Sequence, residues 1–197
     1  EIAYLKAVQR DPEAEPGLKA RLVQRQRQLV ADFNFVAECN VGGENLDPEK
    51  QEHLHHLART TWMRHFDDRI GLSPLEELRT PREKQDLPVA ESLLSDKPWH
   101  IIERERSKDY PPELGINMDI PEHLYNQGEV HNLCIRRGTL TAEERFKINE
   151  HVIQTIRMLG RLPFPRELRQ VPDWAGNHHE KLDGTGYPRK LPADGLS

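Results

Sequence analysis

The apolar positions of the first forty residues recur at near-helical spacing. Leu18, Leu22, Val23, Leu29, Val30, Phe33 and Val36 alternate with Arg and Gln and predict a helix from about Lys19 to Cys39. Asn40-Val41-Gly42-Gly43 ends it, so residues 1–45 read as an N-terminal helical extension or connector without a catalytic constellation. A second helix opens at Asp47, with Pro48 in its first turn, and is predicted to run to Gly71. Leu54, Leu57, Ala58, Thr61, His65 and Asp68 share one face of it, which carries a histidine and an aspartate into the side expected to be buried. They form either a satisfied structural pair or part of a metal site. Ser73-Pro74-Leu75-Glu76 restarts a helix with a capping box.

Further along, residues 103–128 hold two consecutive prolines and few apolar positions. They read as a long irregular insertion, a lid or, by preference, an inert excursion. Thr141 then opens a helix whose capping box is completed by Glu144. Phe146, Ile148, Val152, Ile156 and Leu159 mark its buried side, and His151 stands among them; Gly160, Pro163 and Pro165 end it. After Pro165, Val171, Trp174 and His178 fall on one helical face, which turns His178 inward.

Composition changes this picture in a few places. The 197 residues suffice for one full domain with a helical extension, and 36% hydrophobic against 31% charged residues is polar for a globular chain. A net charge of −5 with no basic run argues against bulk nucleic acid as a partner, while a small phosphorylated ligand needs only a local cluster. Cys39 and Cys134 stand in no metal or redox spacing, which fits a reducing compartment. No apolar run is long enough to span a bilayer, and no signal peptide is visible. A chain starting at Glu1 reads as the ordered part of something longer.

The chemistry concentrates in His178-His179-Glu180-Lys181-Leu182-Asp183-Gly184-Thr185-Gly186-Tyr187-Pro188. Adjacent histidines on a helix point about 100° apart, so they converge on one metal or two close metals only if the backbone is held firmly. A turn that stops the helix at once would hold it. Neutral imidazole is the commonest protein metal ligand near neutral pH, and Glu180 and Asp183 lie within reach as ligands or as groups that orient them. Tyr187 follows a glycine in that turn and can meet a base with its ring and a phosphate with its hydroxyl, or simply plug the turn onto the helices.

This string resembles the HHExxDGxGYP signature of the HD-GYP family, a branch of the HD metal-dependent phosphohydrolases. Gly138-Thr139-Leu140-Thr141-Ala142-Glu143-Glu144, followed by Ile148 and His151, resembles that family's GxLTxEE segment and the helix carrying its next metal histidine. The match is specific from Asn132 to Pro188 and loose upstream. There, His55 precedes the Gly71-Leu72-Ser73 corner by the spacing of the family's first histidine, and Ala90 to Lys97 occupies the place of a short apolar helix ending in the His-Asp pair. Ser95 stands where that pair's histidine belongs, and hydroxyl is a poor ligand for a divalent transition metal. Either the first metal position is lost or weakened, or His65 with Asp67 or Asp68 supplies it.

The resemblance implies an all-α, HD-type helical bundle over residues 46–197, whose closing helices would lie beyond the present end of the chain. It implies a metal-dependent phosphodiesterase that hydrolyses a cyclic dinucleotide, cyclic di-GMP or cyclic GMP-AMP, or a weakened sensor that binds one. Its ligand set carries over as His55, Asp96, His151, His178 and His179, with Asp96 the carboxylate that bridges two metals and His65 and Asp68 the candidates for the position lost at Ser95; Asp96 and Lys97 would act in catalysis. Lys181, Asp183, Gly186, Tyr187, Pro188 and Arg189 would face the substrate. Two divalent transition ions are implied, iron or manganese with zinc as a further candidate; two such ions clamp a scissile phosphate and activate a water. A bacterial cytoplasmic location, a homodimer or a further signalling domain belong to the same expectation.

Overall fold

Residues 1–81, 83, 85–105 and 110–196 are described by a computed structural model of the chain. Helices dominate: α1 (Ile2–Arg10), α2 (Glu15–Val41), α3 (Pro48–Ala58), α4 (Pro74–Arg79), α5 (Glu129–Leu133), α6 (Ala142–Leu159) and α7 (Val171–Asn177). The all-α expectation needs correction, because among the described residues three two-stranded antiparallel ribbons accompany them. Their strands are β1 (Gly43–Asn45), β2 (Thr61–Arg64), β3 (Val89–Ser92), β4 (Ile101–Glu103), β5 (His123–Asn126) and β6 (Arg137–Gly138). Among the described residues no helix is long and apolar enough to cross a membrane.

The chain divides into two units. The first comprises Glu1–Asp67, Gln85–Ser95 and Leu133–Thr139, so a boundary drawn at residue 45 falls inside it. Its long helix α2 ends where Gly42 takes φ 75°, a left-handed conformation that glycine adopts without steric cost. The next residues pair with β6, Gly43 opposite Gly138. On α3, Leu54 and Leu57 are buried, and the helix stops at Ala58, well short of Gly71.

The reason is strand pairing. Thr61, Trp62 and Val89 favour extended backbone, and β2 pairs with β3 from Thr61 opposite Ser92 to Arg64 opposite Val89. Arg64, the last residue of β2, is buried, and His65, just past the strand, is exposed. The Arg64 guanidinium binds the Glu91 carboxylate and the Phe66 carbonyl, and its Nη2 donates to Gln85 Oε1 at 2.6 Å. A satisfied arginine therefore takes the interior place that helical spacing gave to His65. β3 likewise replaces the short apolar helix expected before Asp96.

The second unit comprises Asp68–Lys84, Asp96–Asn132 and Leu140–Ser197. Both predicted capping boxes form: Ser73 with Glu76 on α4 and Thr141 with Glu144 on α6. The excursion over 103–128 is less irregular than expected, since β4 and β5 pair at its two ends; residues 106–109 lie outside the described residues. On α6 the buried side is Glu143, Phe146, Val152, Ile153 and Ile156, whereas Ile148 is 54% exposed. The apolar stripe is therefore rotated away from His151, which is exposed. α7 packs on α6 through Gly176, where a Cβ would lie 2.8 Å from Ile156 Cγ1. Trp174 is largely exposed, and so is His178, so the expected inward face of α7 is not the one it buries.

Candidate metal centre

His151 leaves the middle of α6, and His178 caps the C-terminus of α7 with His179 next to it. Because Gly176 has no side chain, α7 approaches α6 closely enough to bring the two helices' imidazoles together. Ring centroids lie 5.8 Å apart for His151 and His178, 5.3 Å for His151 and His179, and 4.0 Å for His178 and His179. One nitrogen from each ring lies within 4.8 Å of the other two. Among the described residues this is the one group of His, Cys, Asp and Glu side chains that converges so closely.

The protonation pattern suits a cation. His151 Nδ1 lies 2.7 Å from the Ile148 carbonyl and His178 Nδ1 lies 2.8 Å from the Ala175 carbonyl. A carbonyl only accepts, so in each ring Nδ1 carries the proton and Nε2 keeps its lone pair free for a ligand bond. Partial burial, then the proximity of His178 and His151, hold the His179 pKa below the ordinary histidine value, which favours the neutral, ligating form. Three imidazole nitrogens are a borderline donor set that fits zinc, iron or another late divalent ion.

The turn after the histidines is fastened by its own residues. Glu180 Oε1 accepts from the Arg189 amide at 2.6 Å, and Oε2 accepts from the Leu191 amide at 3.0 Å, so both carboxylate oxygens staple the loop. Asp183 Oδ1 accepts from the Thr185 amide and hydroxyl at 2.9 and 2.7 Å. Those bonds hold the Asp183 pKa below the usual carboxylate range. Gly186 lies so close to the preceding turn that a Cβ would stand 2.4 Å from Glu180 Cα and from Lys181 N. Pro188 is fully buried, and its carbonyl accepts from the Asn117 amide at 2.8 Å. Arg189 Nε donates to the Leu114 carbonyl at 3.1 Å and Nη1 to Asn177 Oδ1 at 3.3 Å. Lys181 is exposed, and the Tyr187 ring stacks on His179 with centroids 4.5 Å apart at 17°.

Several expected site residues have other occupations here. Asp183, Gly186, Pro188 and Arg189 build the turn, while Lys181 is exposed and the half-buried Tyr187 lies against His179. Asp96 follows a strand, and its Oδ1 accepts from the Val130 and His131 amides at 2.9 and 3.2 Å, capping α5. It is not a member of the imidazole group. Lys97 Nζ lies 3.3 Å from Asp68 Oδ2 and 5.4 Å from the centroid of the Trp99 ring. His55 and His65 are exposed residues of the first unit.

Sequence reasoning missed Gly176, Asn117 and Tyr110. Tyr110 donates its hydroxyl to Glu150, the neighbour of His151, and its ring meets Phe146 at 6.4 Å. The signal for Gly176 was available, as a glycine inside a helix without a capping reason points to close packing. Nothing local announced Asn117, whose partners stand about seventy positions later.

Residues 88–197, more than half of the chain, match the family model described as the HD domain, and the chain belongs to that family. Three curated proteins of Vibrio cholerae serotype O1 (strain ATCC 39315 / El Tor Inaba N16961) are similar to parts of it. The 3′3′-cGAMP-specific phosphodiesterase 1 is 36% identical over 88 residues, 40% of this chain and 20% of that protein. Phosphodiesterase 3 of the same description is 43% identical over 61 residues, 30% of this chain and 12% of its own length. Phosphodiesterase 2 is 35% identical over 77 residues, 37% and 14% respectively. The matched stretch thus spans a fifth or less of each relative. No solved structure matches the chain.

Proposed function

We propose that this chain carries a metal-dependent phosphodiesterase module that opens a cyclic dinucleotide, 3′3′-cGAMP or cyclic di-GMP, to the linear dinucleotide. The observation that carries the reading is the convergence of His151, His178 and His179 with two Nδ1 protons pinned by backbone carbonyls. A divalent ion bound there would supply Lewis acidity toward a phosphoryl oxygen and would acidify a water. The three imidazoles would hold the ion, and the Glu180 and Asp183 bonds keep the His178–His179 corner from relaxing. Lys181, exposed beside that corner, would attract the phosphates. The names of the Vibrio relatives point to the substrate class and favour 3′3′-cGAMP.

One observation favours a second reading, a sensor that binds the dinucleotide and turns it over weakly or not at all. Asp96, the carboxylate that the family resemblance puts between two metals, is occupied in capping α5. Three imidazoles without that carboxylate fit one ion better than two. Elemental analysis of the purified chain, combined with incubation with 3′3′-cGAMP and cyclic di-GMP and chromatography of the products, separates the readings. Bound metal with linear product supports the enzyme, and tight dinucleotide binding without product supports the sensor. A chain that takes up neither metal nor dinucleotide overturns both.

A further inference from the structure

The three imidazoles are not anchored alike. His151 and His178 are each tied through Nδ1 to the carbonyl three residues earlier, which fixes ring orientation and tautomer together. Among the described residues, the His179 ring makes no hydrogen bond. Outside the histidine group, the aromatic ring that it stacks on is Tyr187, nearly parallel to it at 17° and 4.5 Å.

We infer that Tyr187 is a positioning residue whose ring face holds His179 in the orientation that completes the three-imidazole set. The inference rests on the metal reading above. A stacked ring restrains tilt where a hydrogen bond would restrain rotation, so the contact does for His179 what the carbonyls do for its partners.

The platform is itself rigid. The Tyr187 amide donates to the His179 carbonyl at 3.2 Å, which ties the two residues through backbone as well as ring. On one side Gly186 sits against the Glu180–Lys181 backbone, and on the other Pro188 is buried and bonded to the Asn117 amide. A tyrosine between two such fixed neighbours has little freedom to leave the imidazole. The hydroxyl makes no hydrogen bond among the described residues, so the flat face is the part that acts on His179.

The test is cobalt(II) affinity of the metal-stripped chain, read by competition with a chromophoric chelator, for the parent, Tyr187→Phe and Tyr187→Leu. Phe keeps the flat face, and its affinity should equal the parent's. Leu keeps bulk without the face and should bind about tenfold more weakly or worse, the loss typical of removing a group that orients a ligand. Circular dichroism and melting of the metal-free forms establish that each variant folds, and Tyr187→Met replaces Leu if that variant does not. Parent-like affinity in the Leu or Met variant overturns the inference, as does a loss in Phe equal to that in Leu, which would move the role to the hydroxyl. A parent that takes up no cobalt overturns the metal reading itself and this inference with it. Failure of the inference alone leaves the parent binding cobalt, with the Leu variant either unaffected or no weaker than Phe.

Discussion

Two regions of this chain gather three imidazoles each, and they differ in every respect that makes a site. His53, His55 and His56 crowd one turn of α3, where His53 stacks on Phe35 at 4.3 Å and the other two are exposed. His151, His178 and His179 come from two helices and bring one nitrogen each within 4.8 Å of the others. Density of histidine in the sequence is therefore a poor guide to a ligand set. On α3 the helix itself spreads neighbouring side chains around its axis. At the centre, a glycine contact joins two helices, carbonyls fix two of the rings, and a stapled turn holds the corner.

The strongest way to break the contrast is a pair of alanines. His178→Ala is expected to reduce bound metal to background and to abolish dinucleotide hydrolysis, while His55→Ala leaves metal content as in the parent. Elemental analysis of the two purified proteins checks it, and metal lost from the His55 variant would make the α3 cluster a ligand set after all.

A smaller effect is expected at the helix contact. Gly176→Val would push a branched side chain into Ile156, where even a Cβ lies 2.8 Å from Cγ1. Overpacking of this kind costs about 1–3 kcal/mol, read by urea unfolding of the metal-free chain. Cobalt affinity should fall too, because α7 carries His178 away from His151.

Glu180→Gln sharpens the role of the staple. A glutamine side chain offers one acceptor oxygen where the carboxylate offers two, so either the Arg189 or the Leu191 amide loses its partner. The expected cost is about 1–3 kcal/mol, with faster hydrogen exchange at the amide left unpaired.

The smallest expected effect lies at the edge of the same unit. Burial, followed by the hydrogen bond to Glu150 and its charge, pushes the Tyr110 phenol from 10.0 up to about 12. A raised pKa means that the folded state favours the neutral phenol. The stability it contributes is complete below pH 10.0 and is lost as pH climbs toward about 12. Phenolate absorbance should include a late step from Tyr110, and Tyr110→Phe should remove that step together with its share of the alkaline loss of melting temperature.

What the sequence made legible was local. The capping boxes at Ser73 and Thr141, the end of α2 at Gly42 and the His178–Pro188 turn all depend on residues a few positions apart, and all appear as expected. The errors came from pairings that distant residues decide. β2 could not be told from a continuing helix without knowing that Val89–Ser92 would pair with it, and that pairing exchanged His65 for Arg64 in the interior. Asp96 was readable as a carboxylate in the right neighbourhood, but not as the cap of a helix beginning at Glu129. Ile148 was assigned to the core by spacing alone, whereas the packing partner of α6 is set by Gly176.

The Glu180 staple also bears on the order in which the centre assembles. Its two bonds close loops of 9 and 11 residues. Loop-closure entropy grows slowly with length but still favours short closures, so the corner can form while the rest of the chain is loose. His151 must arrive by docking of a separate helix. Mutations in the turn are accordingly expected to slow folding, and mutations at the α6–α7 contact to speed unfolding, so that chevron kinetics would tell a chain that never builds its corner from one that builds it and cannot keep the third imidazole.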